Sequence, residues 1–222
     1  MKHFTEKIGE NGAEAVFYLH EPSDELAPDK KYPAMVIIPG GAYMWVSDRI
    51  GIIGFSAGGN LAGQLSVFWK KEWLEKETGY SAEKMKPNIA VLAYPMLNCV
   101  KASERSAINT WVNRAMLGNE VTEERLKTVS PVYQVNKDVP QTFIWHTTED
   151  TFVPVENSLK YVTELQKYHV PYELNIYQKG EHGFALGDER TDSMPDHSQV
   201  NEQGATWLNL FLGWMNQIGF MK

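Results

Sequence analysis

A chain of 222 residues, 43% of them hydrophobic and 22% charged, is long enough for one domain with a sizeable core. Its formal charge of −7, with no basic run, argues against nucleic acid or an anionic membrane as partner. Cys99 is the single cysteine, which excludes an internal disulfide; no apolar stretch reaches bilayer-spanning length, and residues 1–7 carry no apolar signal core, so a cytoplasmic location is expected.

In chain order, apolar runs of strand length stand at residues 15–19, 34–38, 50–55, 89–94, 142–146 and 172–177. Helical spacing falls between them. One helix is predicted over 57–76, with Leu61, Leu65 and Phe68 in phase, and another from Pro154, with Val155, Leu159, Val162 and Leu165 on one face. A last one is predicted over 200–218, with Leu208, Phe211, Met215 and Ile218 on one face and Trp207 and Trp214 read as packing residues. Strands alternating with helices predict an α/β fold, a mostly parallel sheet flanked by helices, in a single domain over 1–222. Residues 99–139 are more polar, with predicted helices near 107–117 and 123–128. They read as a cap-like insertion between two strands, of a kind that can roof a site.

The segment Gly54-Phe55-Ser56-Ala57-Gly58 fits G-x-S-x-G and sits between a predicted strand and a predicted helix. That context suits a sharp turn that lifts the Ser56 hydroxyl out of the sheet. Bulk two residues to either side would clash, which predicts a steric need for glycine at both 54 and 58. A serine hydroxyl becomes a useful nucleophile only when a base takes its proton and an acid orients that base. On such sheets the chain order is serine, acid, histidine.

Downstream residues supply that order. Asp150 follows the predicted strand 142–146, where functional groups gather in open α/β sheets, with Glu149 as its rival. His182 lies in Gly180-Glu181-His182-Gly183, after the strand 172–177, with glycines on either side of the Glu-His pair. His3 and His20 precede the elbow, His169 ends a helix and His197 lies in a polar stretch, so they fit less well. For the oxyanion hole, the Ala57 N–H is one donor, and Gly40 and Gly41, in Pro39-Gly40-Gly41-Ala42-Tyr43, are the expected second source. His146, Glu149 and Asp150 form a small cluster without metal-site spacing, and Cys99 has no activating neighbour in sequence. Neither a metal, another cofactor nor a thiol nucleophile is expected.

Taken together, these residues resemble the esterase/lipase branch of the α/β-hydrolase superfamily akin to hormone-sensitive lipase, and within it bacterial acetylxylan-esterase-like and feruloyl or acetyl esterase-like proteins. The likeness rests on Pro39 to Tyr43, Gly54 to Ala62, Tyr94-Pro95, Trp145 to Asp150, Val153-Pro154 and Gly180 to Gly183. It implies an α/β-hydrolase fold and a cofactor-free serine carboxylesterase. The implied substrates are short-chain acyl esters, acetyl above all, as on plant-type oligosaccharides. The same parts also serve thioesterases, amidases and peptidases. The resemblance also implies a departure. In that family a helix–strand–helix segment of about sixty residues separates the oxyanion loop from the elbow, whereas here only residues 44–49 stand between Tyr43 and Ile50. An internal deletion joined at Asp48-Arg49 is therefore expected, with strands 34–38 and 50–55 as parallel neighbours. The alternative function is a truncated, non-catalytic or weakly active relative.

Overall fold

The computed structural model describes the backbone of Lys2–Ile8 and Ala13–Leu19 together with residues 50–100, 113–114, 116–192 and 194–220. Strand 34–38, the loop at Gly40 and Gly41, the junction at Asp48-Arg49 and most of the helix expected over 107–117 lie outside the described residues. So does the expected pairing of strand 34–38 with strand 50–55. The chain divides into two compact units, Met1–Ile50 and Gly51–Lys222.

In the first unit, β1 (Lys2–Ile8) pairs antiparallel with β2 (Ala13–Leu19), running from Lys2 opposite Leu19 to Ile8 opposite Ala13. β1 is not among the runs expected from the sequence. Its signal is the Asn11-Gly12 pair between two strand-length runs, a strong hairpin cue.

The second unit holds a four-stranded, wholly parallel sheet: β3 (Gly51–Phe55), β4 (Ile89–Ala93), β5 (Gln141–Thr147) and β6 (Tyr172–Tyr177), in that spatial order. Each matches an expected run to within a residue or so. Alternation along the strands sorts their side chains onto two cores. On one face, Ile52, Ala90, Leu92 and Ile144 pack with Ala62 and Val67 of α1 (Ala57–Phe68) and with residues of a later helix, Glu156–Lys167. On the other, Ile89, Val91, Ala93, Phe143 and Trp145 pack with Trp207, Trp214 and Met215 of the last helix, Trp207–Gln217. β4 is buried at every position, as a strand covered on both faces must be.

The helix expected over 57–76 is two helices, α1 and α2 (Glu72–Thr78), and a short α3 (Ala82–Met85) follows. The break has a tertiary cause. Trp69 is buried and its indole N–H donates to the Asp138 carbonyl at 2.9 Å, while Lys70 pairs with the Asp138 carboxylate at 3.2 Å. Lys71 is then extended, with φ −80° and ψ 131°.

The expected 123–128 helix is α4 (Glu123–Thr128), capped by the Thr122 hydroxyl, which accepts from the Arg125 N–H. Leu126 packs with Met96, Cys99 and Val153, so the described part of the 99–139 segment has its own small core against the loop that follows β5. α5 (Glu156–Lys167) begins two residues after Pro154 and α6 (Trp207–Gln217) begins after a single 3₁₀ turn, Gly204–Thr206.

The buried face of α5 differs from the expected one. Leu159 is exposed, and Asn157 and Ser158 are buried beside Tyr161, Val162 and Leu165. The polar pair is satisfied from afar: Asn157 Oδ1 accepts the Leu97 and Asn98 N–H groups, and Ser158 meets His146. Trp207 and Trp214 are core residues, as expected. Among the described residues, no helix is long and apolar enough to cross a membrane.

Candidate active site

Ser56 sits in the turn between β3 and α1 with φ 53° and ψ −117°, a conformation that costs of the order of 1–3 kcal/mol and persists only where its surroundings enforce it. Here main-chain bonds enforce it. The Ser56 N–H donates to Ala93 O at 3.0 Å, and the Ser56 carbonyl accepts from Asn60 N at 3.1 Å and Met96 N at 3.3 Å. The strand thus continues its ladder into the serine before the chain turns.

Glycine is required on the strand side: a Cβ on Gly54 would run into the Gly58 carbonyl. The expectation at position 58 is corrected, because a Cβ there meets nothing within 4 Å among the described residues. The crowded helix-side position is Gly59, where a Cβ would lie 2.7 Å from Pro95 Cβ and 2.9 Å from its Cα. α1 can therefore approach the loop after β4 only with glycine at 59.

Asp150 and His182 come from the loops after β5 and β6, at the same sheet edge as Ser56. His182 Nε2 is 2.7 Å from Ser56 Oγ, and His182 Nδ1 is 2.6 Å from Asp150 Oδ2. A carboxylate only accepts, so the proton is on Nδ1, and in the neutral ring Nε2 is left to accept from the serine hydroxyl. Gly180 (φ 124°) and Gly183 (φ 93°) bracket the loop in backbone conformations that favour glycine. The imidazole itself is held by two rings: Tyr94 meets it edge-on at 4.9 Å and Phe152 stacks on it at 5.0 Å.

Asp150 is buried, and four donors meet its carboxylate. Oδ1 accepts the Phe152 and Val153 N–H groups at 3.0 and 2.8 Å, and Oδ2 accepts from His182 and, at 3.2 Å, from His146 Nε2. Burial alone pushes the carboxyl up. The hydrogen bonds from His146 and His182, the charge attraction of His182 and the Val153 N–H together outweigh it and hold the group at about 2, against an ordinary 3.8. The rival Glu149 faces elsewhere: it pairs with Lys179 at 2.6 Å and accepts the Gly180 N–H at 3.2 Å, tying down the start of the His182 loop. Burial also pushes the Tyr94 phenol well above its ordinary range and raises the Cys99 thiol, which disfavours a thiolate there.

Ala57 opens α1, so its N–H is one of those with no acceptor inside the helix, and it lies directly after Ser56. Among the described residues, no three His, Cys, Asp or Glu side chains converge as a metal site. Two clefts, of about 410 and 390 Å³ around Tyr133 and Tyr168, contain none of the Ser56, Asp150 and His182 group. The residue that sequence reasoning misses is His146. It ends an apolar run and stands out in sequence only as part of a cluster without metal spacing, yet it reaches the acid from inside the sheet.

Residues 41–165 match the BD-FAE family and residues 127–219 match the dienelactone hydrolase family. Among curated relatives, the chain is 29% identical over 141 residues to endo-1,4-beta-xylanase B of Butyrivibrio fibrisolvens, covering 64% of this chain and 21% of that protein. It is 26% identical over 163 residues to an acetylxylan esterase of Xylanibacter ruminicola, covering 72% of this chain and 30% of that one. The chain thus spans less than a third of either relative's length. Among solved structures, an acetyl ester-xyloside bifunctional hydrolase from Caldicellulosiruptor lactoaceticus is 33% identical with a TM-score of 0.60, over 78% of this chain and 58% of that one. A carboxylesterase from Lactobacillus plantarum has a TM-score of 0.66 over 99% of this chain and 98% of its own; at 18% identity it speaks for the fold alone. With more than half of its residues matching, the chain belongs to the BD-FAE family and carries the α/β-hydrolase fold of esterases.

Proposed function

We propose that the chain is a serine carboxylesterase that cleaves short-chain acyl esters, acetyl esters of plant-type oligosaccharides among them, through an acyl-enzyme. The observation that carries this reading is the unbroken chain from Ser56 Oγ to His182 at 2.7 Å and from His182 to buried Asp150 at 2.6 Å. The acetyl and xylan words in the names of the similar proteins support the substrate class.

Ser56 Oγ attacks the ester carbonyl while its proton passes to His182 Nε2. The new oxyanion is held by the Ala57 N–H. His182 then gives the proton to the departing alkoxide, the C–O bond breaks and the alcohol leaves. Water repeats the sequence on the acyl-enzyme and releases the acid. Asp150 keeps the Nδ1 proton in place and stabilises the imidazolium that forms in each half-reaction.

A fluorophosphonate should label Ser56 alone, and Ser56→Ala should abolish both labelling and p-nitrophenyl acetate turnover. Labelling at another serine would overturn the assignment. A chain that folds cooperatively but neither labels nor turns over would be the non-catalytic relative instead. Across p-nitrophenyl esters from acetyl to octanoyl, the rate should be highest for acetyl and propionyl. A rate rising steadily with chain length would remove the short-acyl part of the reading.

A further inference from the structure

His146 lies in β5 with 0% of its side chain exposed, and both ring nitrogens have partners. Nδ1 is 2.8 Å from Ser158 Oγ; Nε2 is 2.8 Å from the Val153 carbonyl and 3.2 Å from Asp150 Oδ2. The protonation pattern follows from the partners. A carbonyl oxygen cannot donate, so Nε2 carries a proton and shares it between Val153 O and Asp150 Oδ2. In the neutral ring Nδ1 then accepts from the Ser158 hydroxyl, itself fully buried in α5.

This bond closes a ring. The turn that carries Asp150 leaves β5 at Thr147, and within it Val153 donates its N–H to Asp150 Oδ1 and accepts at its carbonyl from His146. A single N–H from the sheet thus pins both the far side of the turn and the carboxylate oxygen that holds His182. Without it Asp150 Oδ2 keeps only the His182 bond, and the orientation of the carboxylate rests on that bond and on the Phe152 and Val153 N–H groups at Oδ1.

We infer that His146 is a positioning residue for the reaction: its Nε2–H fixes the Asp150 carboxylate in the orientation that holds His182 against Ser56. The inference rests on the proposed roles of Ser56, Asp150 and His182. Ser56, the proposed nucleophile, is on the far side of His182 from Asp150, so loss of the bond is expected in kcat rather than in KM. A hydrogen bond to a charged group is worth about 10- to 100-fold, which sets the expected effect.

The test uses side-chain geometry. The amide nitrogen of Gln overlays Nε2 of His, whereas that of Asn overlays Nδ1. His146→Asn should lower kcat for p-nitrophenyl acetate by at least about tenfold with KM within about twofold, and His146→Gln should recover most of the loss. Equal activity in wild type and His146→Asn overturns the inference, and so does an equal loss in the Asn and Gln variants, which would make the ring a matter of packing. One measurement on unmutated protein stands even if His146→Asn fails to fold. Nitrogen-15 NMR of labelled histidine should show His146 protonated at Nε2 with bare Nδ1, and the opposite tautomer overturns the inference. The downfield proton resonance of the His182–Asp150 bond should be present in wild type and in His146→Gln, and shifted or lost in His146→Asn. Should wild type prove inactive, the esterase reading fails while these resonances still decide the role of His146.

Discussion

Two histidine–aspartate pairs in this chain have the same short distance. His182 Nδ1 is 2.6 Å from Asp150, and His197 Nδ1 is 2.6 Å from Asp192. Both aspartates are nearly buried, with side chains 1% and 3% exposed, but the histidines differ: 15% exposed for His182 and 76% for His197. The Asp192 pair is a loop clip, its acid also accepting the Met194 N–H at 3.1 Å. The Asp150 pair is wedged between Tyr94 and Phe152 and reaches a serine held in a strained turn. The His–Asp distance alone therefore does not distinguish the two pairs. What separates the pairs is what lies on the other side of the ring and how firmly that side is held.

The largest expected effect breaks the comparison directly. Asp150→Asn should cut turnover by about 10⁴-fold, because an amide facing Nδ1 favours the wrong imidazole tautomer, whereas Asp192→Asn should leave it within about twofold, since an amide oxygen still accepts the Met194 N–H. Comparable losses in the two variants would mean that the His197 clip also supports the reaction.

The second effect is thermodynamic. Asp150 titrates at about 2 in the folded chain against 3.8 ordinarily, so its ionised form stabilises the fold by about 2 kcal/mol. For a depressed carboxyl that stabilisation is complete above its unfolded value and is lost as pH falls through the folded one. The gap in melting temperature between wild type and Asp150→Asn should close between about pH 4 and 2. A gap that stays constant across that window would show that the carboxylate is not held as its four donors imply.

Phe152→Ala should lower kcat/KM by about two- to tenfold, the worth of one aromatic contact, by freeing one face of the imidazole. A loss concentrated in bulky esters would mark Phe152 as a wall for substrate instead. Smallest of all, Glu149→Gln should cost no more than a few-fold, since it weakens the Lys179 pair at the rim of the His182 loop, an exposed ion pair of modest worth. A loss matching that of Asp150→Asn would move the orienting role to Glu149.

Much of this arrangement is legible in the amino-acid sequence. The strand runs, the turn at Ser56, the preference for Asp150 over Glu149 and the glycine-flanked His182 all rest on local patterns that the chain displays outright. The misses share a physical cause. Asn157 and Ser158 look like solvent-facing residues on an amphipathic helix, and His146 looks like the polar end of an apolar run. Their partners, at Leu97, Asn98 and His146 for the helix and at Val153 and Asp150 for the histidine, become neighbours only after the sheet has formed. The helix break at Trp69 is of the same kind, dictated by Asp138 far along the chain. Gly58 and Gly59 cannot be told apart from sequence because the obstacle, Pro95, arrives from the loop after the neighbouring strand β4.

The seat of Ser56 is made from main chain alone: one bond from its N–H to Ala93 and two to its carbonyl from Asn60 and Met96. No part of that cradle touches the side chain. The fold therefore presents a socket rather than a serine, and whatever atom stands at γ is delivered to His182. Ser56→Cys should fold with unchanged backbone geometry and offer a thiol at the same spot, so that nucleophile chemistry becomes an interchangeable part while the hard-won backbone twist stays in place.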